Sequence, residues 1–474
     1  MSSRLASRTL RNSVLVVAAR ALAKLGVFVV VVLLWRHLGD ERYGRFAAMV
    51  VYVTLVGVIA DLGLQTIFIR DVSRDRELFR RYLGNLVSGR LVLSVVALLV
   101  LAALLRLLSP ALFPYTVAGF ALLVTTSYSS LLRSAFYIRG QLGYEAVAIV
   151  VEALVLLALT LVAIRANASW DVFLWVYAAS YLFTCLFTLA ILRWRWQEAI
   201  TPRFDAGLLR RLLLAGLPLA LGFTITTIYA QLDIVLLQVL KNFQMVGWYS
   251  AANKYVDAVA WIPQSAMGAV FPALAMLSRG DQRRLAFAYE KSYKMLAIVA
   301  LPLAVGIAVT ASSIVHLTRG FDQSIPALQI LAPSIALLFV NNAFIYTLTA
   351  INRQADFTRL ALGTLLVNAV LNVALIPPFG YIGAAVASTF TELALFAGGW
   401  WLLRRHLVAL PIIRSIGPVL LSVAIMGAAV YLTRSFTLLL VVPLAVIVYL
   451  GGLFIFRALN AEELSILRAS FTNR

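Results

Sequence analysis

Residues 83–108 read LGNLVSGRLVLSVVALLVLAALLRLL, and this stretch decides the class of fold. It is longer than the roughly 20 residues a helix needs to cross a bilayer, and only Arg90 and Arg106 are charged. Similar runs recur between charged punctuation, at 12–35, 46–69, 116–138, 144–164 and 172–192, then 212–240, 248–277, 293–316, 326–350 and 360–377, and finally 381–403, 413–433 and 437–456. The expected class is therefore all-α: a polytopic membrane protein of about fourteen spanning helices. Composition agrees. Of 474 residues 62% are hydrophobic and 13% charged, against about half and a quarter in soluble domains. A water-soluble enzyme is excluded, and almost nothing is left for an extramembrane domain.

Forty Lys and Arg face twenty Asp and Glu, a formal charge of +20. In a soluble chain this would suggest nucleic acid; here the positive-inside rule accounts for it. With the N-terminus inside, inside segments hold 28 Lys and Arg and outside segments 8, while Arg20, Lys24, Arg90 and Lys254 sit deeper within helices. Both termini are accordingly expected in the cytoplasm, in a multi-pass protein of the inner (plasma) membrane. Arg4, Arg8 and Arg11 before an apolar run mimic a signal peptide. The run lacks a small-x-small cleavage site and is interrupted by Arg20 and Lys24, so it reads as a retained first helix. Cys185 is the single cysteine, which precludes an intrachain disulfide.

The longest connection, 193–211, carries five arginines, two tryptophans and Pro202, suiting an interfacial linker between two halves. Gly44-Arg-Phe-Ala-Ala before the second run echoes Gly247-Trp-Tyr-Ser-Ala before the eighth, as repeated bundles would. The expected division is 1–200, 201–403 and 404–474. Prolines gather in the second half, with Pro218, Pro263, Pro302, Pro333, Pro418 and Pro443 inside spans, where they would permit bending.

Catalysis has no visible home. There is no phosphate-cradling Gly-x-x-x-x-Gly-Lys-Ser/Thr loop and no Asp-x-Asp pair, and His37, His316 and His406 are far apart. No catalytic residue, metal site or cofactor is expected.

Three segments resemble the polysaccharide-export (Wzx-like) oligosaccharide flippases, within the superfamily that also holds multidrug exporters and the lipid II flippase. The first is Arg36-His-Leu-Gly-Asp-Glu-Arg-Tyr-Gly-Arg-Phe-Ala with Asp61-Leu-Gly-Leu and Arg70-Asp-Val-Ser-Arg74. A second comprises Gly216-Leu-Pro218, Tyr229, Asp233, Val246-Gly-Trp-Tyr-Ser-Ala-Ala-Asn-Lys254 and Phe271-Pro-Ala-Leu. The third holds Asn352-Arg-Gln, Asn368, Leu371-Asn372, Ile376-Pro-Pro-Phe-Gly380 and Gly383-Ala-Ala. The resemblance covers roughly the first 400 residues. It implies two pseudo-symmetric six-helix bundles around a central cavity, followed by an extra helix pair and a cytoplasmic tail. By the same resemblance, alternating access would move a polyprenyl-pyrophosphate-linked oligosaccharide from the inner to the outer leaflet for cell-surface polysaccharide biosynthesis. Membrane lipids are further implied partners. Candidate partners are a glycan polymerase, glycosyltransferases and a coupling cation.

Charges within spans are costly, about 2.5–3.5 kcal/mol each, and call for a partner or a wet cavity. Counting about 1.5 Å per residue places Arg20, Asp61, Arg90 and Glu152 in one layer, about 10–12 Å from the inner side. They are either a structural network, with Asp61 and Glu152 as pairing carboxylates, or a site where Arg20 and Arg90 hold pyrophosphate. Lys24, near mid-membrane with no acid left over, is the central phosphate candidate, with pairing to Asp61 as the alternative. Asp233 and Lys254 are expected to pair, leaving Asp257 and Glu392 as coupling-ion or proton candidates. The exposed run Arg70, Arg74, Arg76, Arg80 and Arg81 reads as a lipid-facing loop or a funnel for phosphates. Tyr128, Tyr137, Tyr181, Tyr229 and Trp261 read as packing or interface anchors rather than sugar-stacking rings. Competing readings are a cation-coupled multidrug exporter and a non-transporting scaffold of a glycan-assembly complex.

Overall fold

A computed structural model of the chain describes residues 3–198, 200–278, 282–406 and 412–458. The expected cytoplasmic tail from 459 onward lies outside the described residues. Among the described residues the extended elements are all helices: α1 (Ser3–Asp61), α2 (Leu64–Arg74), α3 (Leu78–Leu108), α4 (Thr116–Ile138), α5 (Leu142–Arg165), α6 (Val172–Ala190) and α7 (Ala206–Leu240). After these come α8 (Phe243–Leu277), α9 (Gln282–Leu317), α10 (Ser324–Ala350), α11 (Gln354–Phe379), α12 (Tyr381–His406), α13 (Ile412–Leu432) and α14 (Leu438–Ile455).

Among the described residues twelve helices are long and apolar enough to cross a membrane, and the first, Val16–Asp61, has 46 residues. One pass takes about 20. Its backbone leaves helical geometry at Gly39 (φ 73°, ψ 178°), so α1 holds the first two expected passes, joined across a kink. Counting Ile416–Leu432, the shorter apolar helix, each of the fourteen expected passes finds a helix. The second pass ends earlier than its hydrophobicity suggests. Helix α1 stops at Asp61, and Leu62 (φ 45°) and Gly63 (φ 75°) turn the chain before α2. Position 63 needs glycine twice over. Its φ is left-handed, and a Cβ there would lie 2.7 Å from the carbonyl oxygen of Gly216.

The chain falls into two compact units, Met1–Ser250 and Ala251–Arg474. This boundary lies beyond the expected 200/201, because α7 and the first turns of α8 pack with the first unit. Close backbone approaches explain it. Besides the Gly63–Gly216 crossing, a Cβ on Gly44 would strike the Phe243 carbonyl, and one on Gly247 would strike the Asp40 carbonyl. The contact is reciprocal, 44 with 243 and 247 with 40. It extends one residue further: the Arg45 guanidinium lies 5.3 Å over the Phe243 ring, and Trp248 Nε1 donates to Asp40 Oδ2 at 3.0 Å. The two echoed segments therefore meet as quasi-equivalent surfaces, as an internal repeat would.

In the first unit α1 packs on α5, α3, α7 and α4, while α6 packs on α4 and α5. Helix α3 shows how an almost wholly apolar run chooses its inward face. Leu83, Leu86, Arg90, Ser94, Ala97, Leu101 and Leu105, at spacings of three and four, are buried, while Leu91, Val95 and Leu99 are exposed. The charged and small side chains Arg90, Ser94 and Ala97 face the protein among leucines, while the outward side is purely aliphatic at Leu91, Val95 and Leu99, as lipid requires. In the second unit α10 lies against α9 and α12, α11 against α12, and α13 against α14 and α9. The expected prolines of the spans sit inside helices that run on through them.

Candidate functional site

The first unit contains a cavity of about 440 Å³ and a second of about 290 Å³. Gln65, Thr126, Ser130 and Tyr181 line both, so one polar wall serves the two. Apolar side chains of α1, α4 and α7 (Val50, Val53, Leu122, Phe223) complete the larger.

The break at Leu62–Gly63 sets the chemistry of the larger cavity. Ending α1 at Asp61 leaves its carboxylate free to turn inward, where it accepts from Arg90 Nη2 of α3 and from the Gln65 backbone N–H. Arg90 is fully buried and lines the cavity. Its Nη1 donates to the Ser127 carbonyl and, at 2.8 Å, to the Ser127 hydroxyl. This geometry favours the pairing reading for Asp61 and makes Arg90 a committed charge rather than an open phosphate ligand.

The smaller cavity holds a second network. Arg133 grips Glu145 with both arms, Nε–Oε2 at 3.1 Å and Nη2–Oε1 at 2.6 Å, and Glu145 is buried. Tyr137 donates to Glu145 at 2.9 Å and receives Arg20 Nη2 at 2.5 Å. Glu152, two turns along α5, lies 3.9 Å from Arg133 and accepts from Thr184 at 2.5 Å. The expected four-charge layer is thus two separate groups, Asp61 with Arg90, and Arg20 linked through Tyr137 and Glu145 to Arg133 and Glu152.

Arg133 and Glu145, both near the ends of their expected spans, were not among the expected intramembrane charges. A signal existed: Arg133 and Tyr137 are four residues apart on α4, and Glu145 and Glu152 seven apart on α5, so each pair shares a helix face. Tyr137 and Tyr181, read as packing, line the smaller cavity.

Lys24 lies outside both cavities. Helix α1 buries Ala19 and Ala23 toward α5, with Gly26 against Ala153, and this turns Lys24 outward between exposed Leu22 and Leu25. Asp61 belongs to Arg90, so the alternative pairing with Lys24 does not form. Asp233 is buried and accepts from Tyr249 at 2.8 Å. Lys254 bridges Asp257 at 2.8 Å, one turn along α8, so Asp257 is a paired carboxylate rather than a leftover one. In the second unit Glu392 of α12 accepts from Asn341 Nδ2 of α10 at 2.7 Å. Nearby, Asn368 Nδ2 reaches Thr391 at 3.3 Å. Among the described residues there is no group of three His, Cys, Asp or Glu side chains able to hold a metal ion.

The sequence profile of the polysaccharide biosynthesis protein family matches residues 9–278, more than half of the chain. The chain belongs to this family. Its relatives include an uncharacterized membrane protein of Methanocaldococcus jannaschii, 25% identical over 49% of this chain and 48% of that one. A Haloferax volcanii protein assigned as a low-salt glycan biosynthesis flippase is 25% identical over 34% and 35% of the two chains. A protein of Escherichia coli K12 assigned as an O-antigen transporter is 19% identical over 75% and 87%. The chain thus spans about half of the first relative and about a third of the second. Its fold is similar to that of the lipid II flippase MurJ in an inward closed conformation. The TM-score is 0.78 at 14% identity, over 94% of this chain and 98% of that one. This polysaccharide biosynthesis family and fold are those of membrane transporters and flippases, not of enzymes.

Proposed function

We propose that the chain moves a polyprenyl-pyrophosphate-linked oligosaccharide from the cytoplasmic to the outer leaflet by alternating access. The observation that carries this reading is a hydrogen-bonding hollow inside a bundle with an apolar exterior, in a chain of this family. Hydrocarbon offers sugar hydroxyls no partner, whereas the Arg133–Glu145 fork, Gln65, Ser130 and Tyr181 supply donors and acceptors. Tyr177 and Phe223 add rings that could stack on sugar faces. Relatives assigned to glycan flipping and O-antigen transport support the same substrate class.

The charges divide the work. Asp61–Arg90 and Arg133–Glu145 are paired and hold the cavity walls open. Arg20 of the smaller cavity, bonded among the described residues to a tyrosine hydroxyl, is the cation left for the pyrophosphate within it, and Lys24, one turn further and outside the cavity, the cation left for its approach. Glu392, which accepts from Asn341, and Asp257, which Lys254 bridges, remain the candidates for coupling by a cation. Both termini face the cytoplasm of a plasma-membrane protein in this account.

Deleting the gene and identifying the lipid-linked intermediate that accumulates tests the proposal. An undecorated polyprenyl-pyrophosphate glycan building up on the cytoplasmic face is the expected result. Normal export with no such accumulation would overturn it.

A further inference from the structure

The connection between α6 and α7 is a docked strap, not a slack linker. The helix widens to a π turn at Ile191–Arg195, and Glu198 then accepts from Arg80 and from Arg139, the latter at 2.5 Å. At the other end Arg81 meets Asp205 at 3.0 Å, and the Asp205 N–H donates to Asn85 Oδ1 at 2.6 Å. The Arg203 N–H donates to the Gly84 carbonyl at 3.2 Å. A Cβ on Gly84 would strike the Thr201 carbonyl, so strap and helix touch backbone to backbone. Apart from Arg139, at the end of α4, these anchors lie in the first two turns of α3. Trp196 packs edge-on against Phe136 and Tyr144, under the Arg139 guanidinium at 4.5 Å.

So firm an attachment makes the outward-facing side chains notable. Trp194 is 81% exposed and Phe204 63%, two large rings held in the open. Arg193, Arg195 and Arg203 flank them, are exposed and, among the described residues, enter no ion pair. Every acid of the strap is already engaged, Glu198 by two arginines and Asp205 by Arg81. The unmatched surface is therefore positive and aromatic, at the membrane end where α6 stops and α7 starts. Tryptophan in that position seeks the headgroup layer, and arginine guanidinium groups bind phosphate oxygens as planar forks.

We propose that the strap is a binding site for anionic phospholipid head groups: Trp194 and Phe204 enter the interface and Arg193, Arg195 and Arg203 take the phosphates. The site is separate from the glycan cavity and stands whether or not the chain flips glycans. A lipid bound there would tie the ends of α3, α6 and α7 to the leaflet surface.

The test uses the full chain in phosphatidylcholine vesicles containing one-fifth phosphatidylglycerol, with bromine on the acyl chains of one lipid or the other. The signal is the quenching lost on Trp194→Phe, which isolates Trp194 from the other tryptophans. Brominated phosphatidylglycerol is expected to quench Trp194 more than equal brominated phosphatidylcholine. The preference should fall with salt, by about fivefold for each arginine replaced by glutamine. The triple lysine variant R193K/R195K/R203K should keep it, which separates charge from folding. Inorganic phosphate at the lipid's concentration should not displace it. Equal quenching by both lipids, no Trp194 signal, a preference intact in R193Q/R195Q/R203Q, or displacement by free phosphate would each overturn the proposal.

Discussion

Removing the Asp61 carboxylate is the sharpest perturbation of the larger cavity. The Arg90 side chain is 1% exposed and that of Asp61 28%. In Asp61→Ala the guanidinium keeps only its two bonds to Ser127 and remains buried without a counter-charge. Breaking a buried pair from one side typically costs about 3–5 kcal/mol. The reverse change, Arg90→Met, leaves a carboxylate that already borders the cavity and keeps the Gln65 N–H, so it forfeits about 1.5–3 kcal/mol, the worth of one charged hydrogen bond. The double variant Asp61→Asn with Arg90→Met removes both charges and should recover part of the Asp61→Ala loss. Thermal unfolding of the purified chain in detergent gives the order. Asp61→Ala should unfold first and Arg90→Met later, with the double variant above Asp61→Ala. Equal midpoints for the two single variants, or a double variant below both, would refute the buried-pair reasoning.

Other expectations follow from the same geometry. Gly63→Ala meets both a left-handed φ, worth about 1–2 kcal/mol, and the Gly216 carbonyl, whereas Gly57→Ala has open space and gains roughly 1 kcal/mol of helix propensity; yields of folded protein should separate them. Lys24→Ala should abolish glycan export with unfolding near wild type, because Lys24 is exposed outside the packed face; full export would remove it from the phosphate site. The α7 N-cap Asp205 is held below the ordinary aspartate range by the Leu208 N–H and Arg81. Its contribution is therefore present above that range and lost only as pH falls through the lowered value, which acid titration of wild type against Asp205→Ala reads out. A reporter active only outside should be silent after Arg474 and active after Ala168; the opposite pattern would reverse the topology.

The spans were legible because lipid demands long apolar runs, and the run at 83–108 became one helix with both a buried and a lipid-facing side. Their joints were less so. Gly39 breaks the helical geometry between the two passes of α1, and Asp61-Leu-Gly63 ends an apolar stretch, both through backbone conformation, which hydrophobicity does not encode. The Gly44 and Gly247 echo was visible as sequence, but its meaning, two glycines each lying under the other segment's carbonyl, needed coordinates. Among the charges, Asp61 could be placed by depth while its partner could not. Depth fixes the layer but not the azimuth around each helix, so Arg20 and Arg90 seemed to share a site that the packing divides. Arg133 and Glu145 were missed for the opposite reason: they lie near helix ends, where depth gives no warning of burial, yet the fold buries Glu145 completely.

The central claim is transport through the polar cavity, and a reconstituted flipping assay tests it most directly. The purified chain is placed in vesicles carrying a fluorescent polyprenyl-pyrophosphate oligosaccharide, and an impermeant quencher is added outside after loading one leaflet. The account predicts protein-dependent transfer that Arg133→Leu and Glu145→Leu abolish while Lys254→Gln, outside the cavity, leaves it intact. Transfer by either cavity variant at the wild-type rate, or no transfer by the wild type, would contradict it.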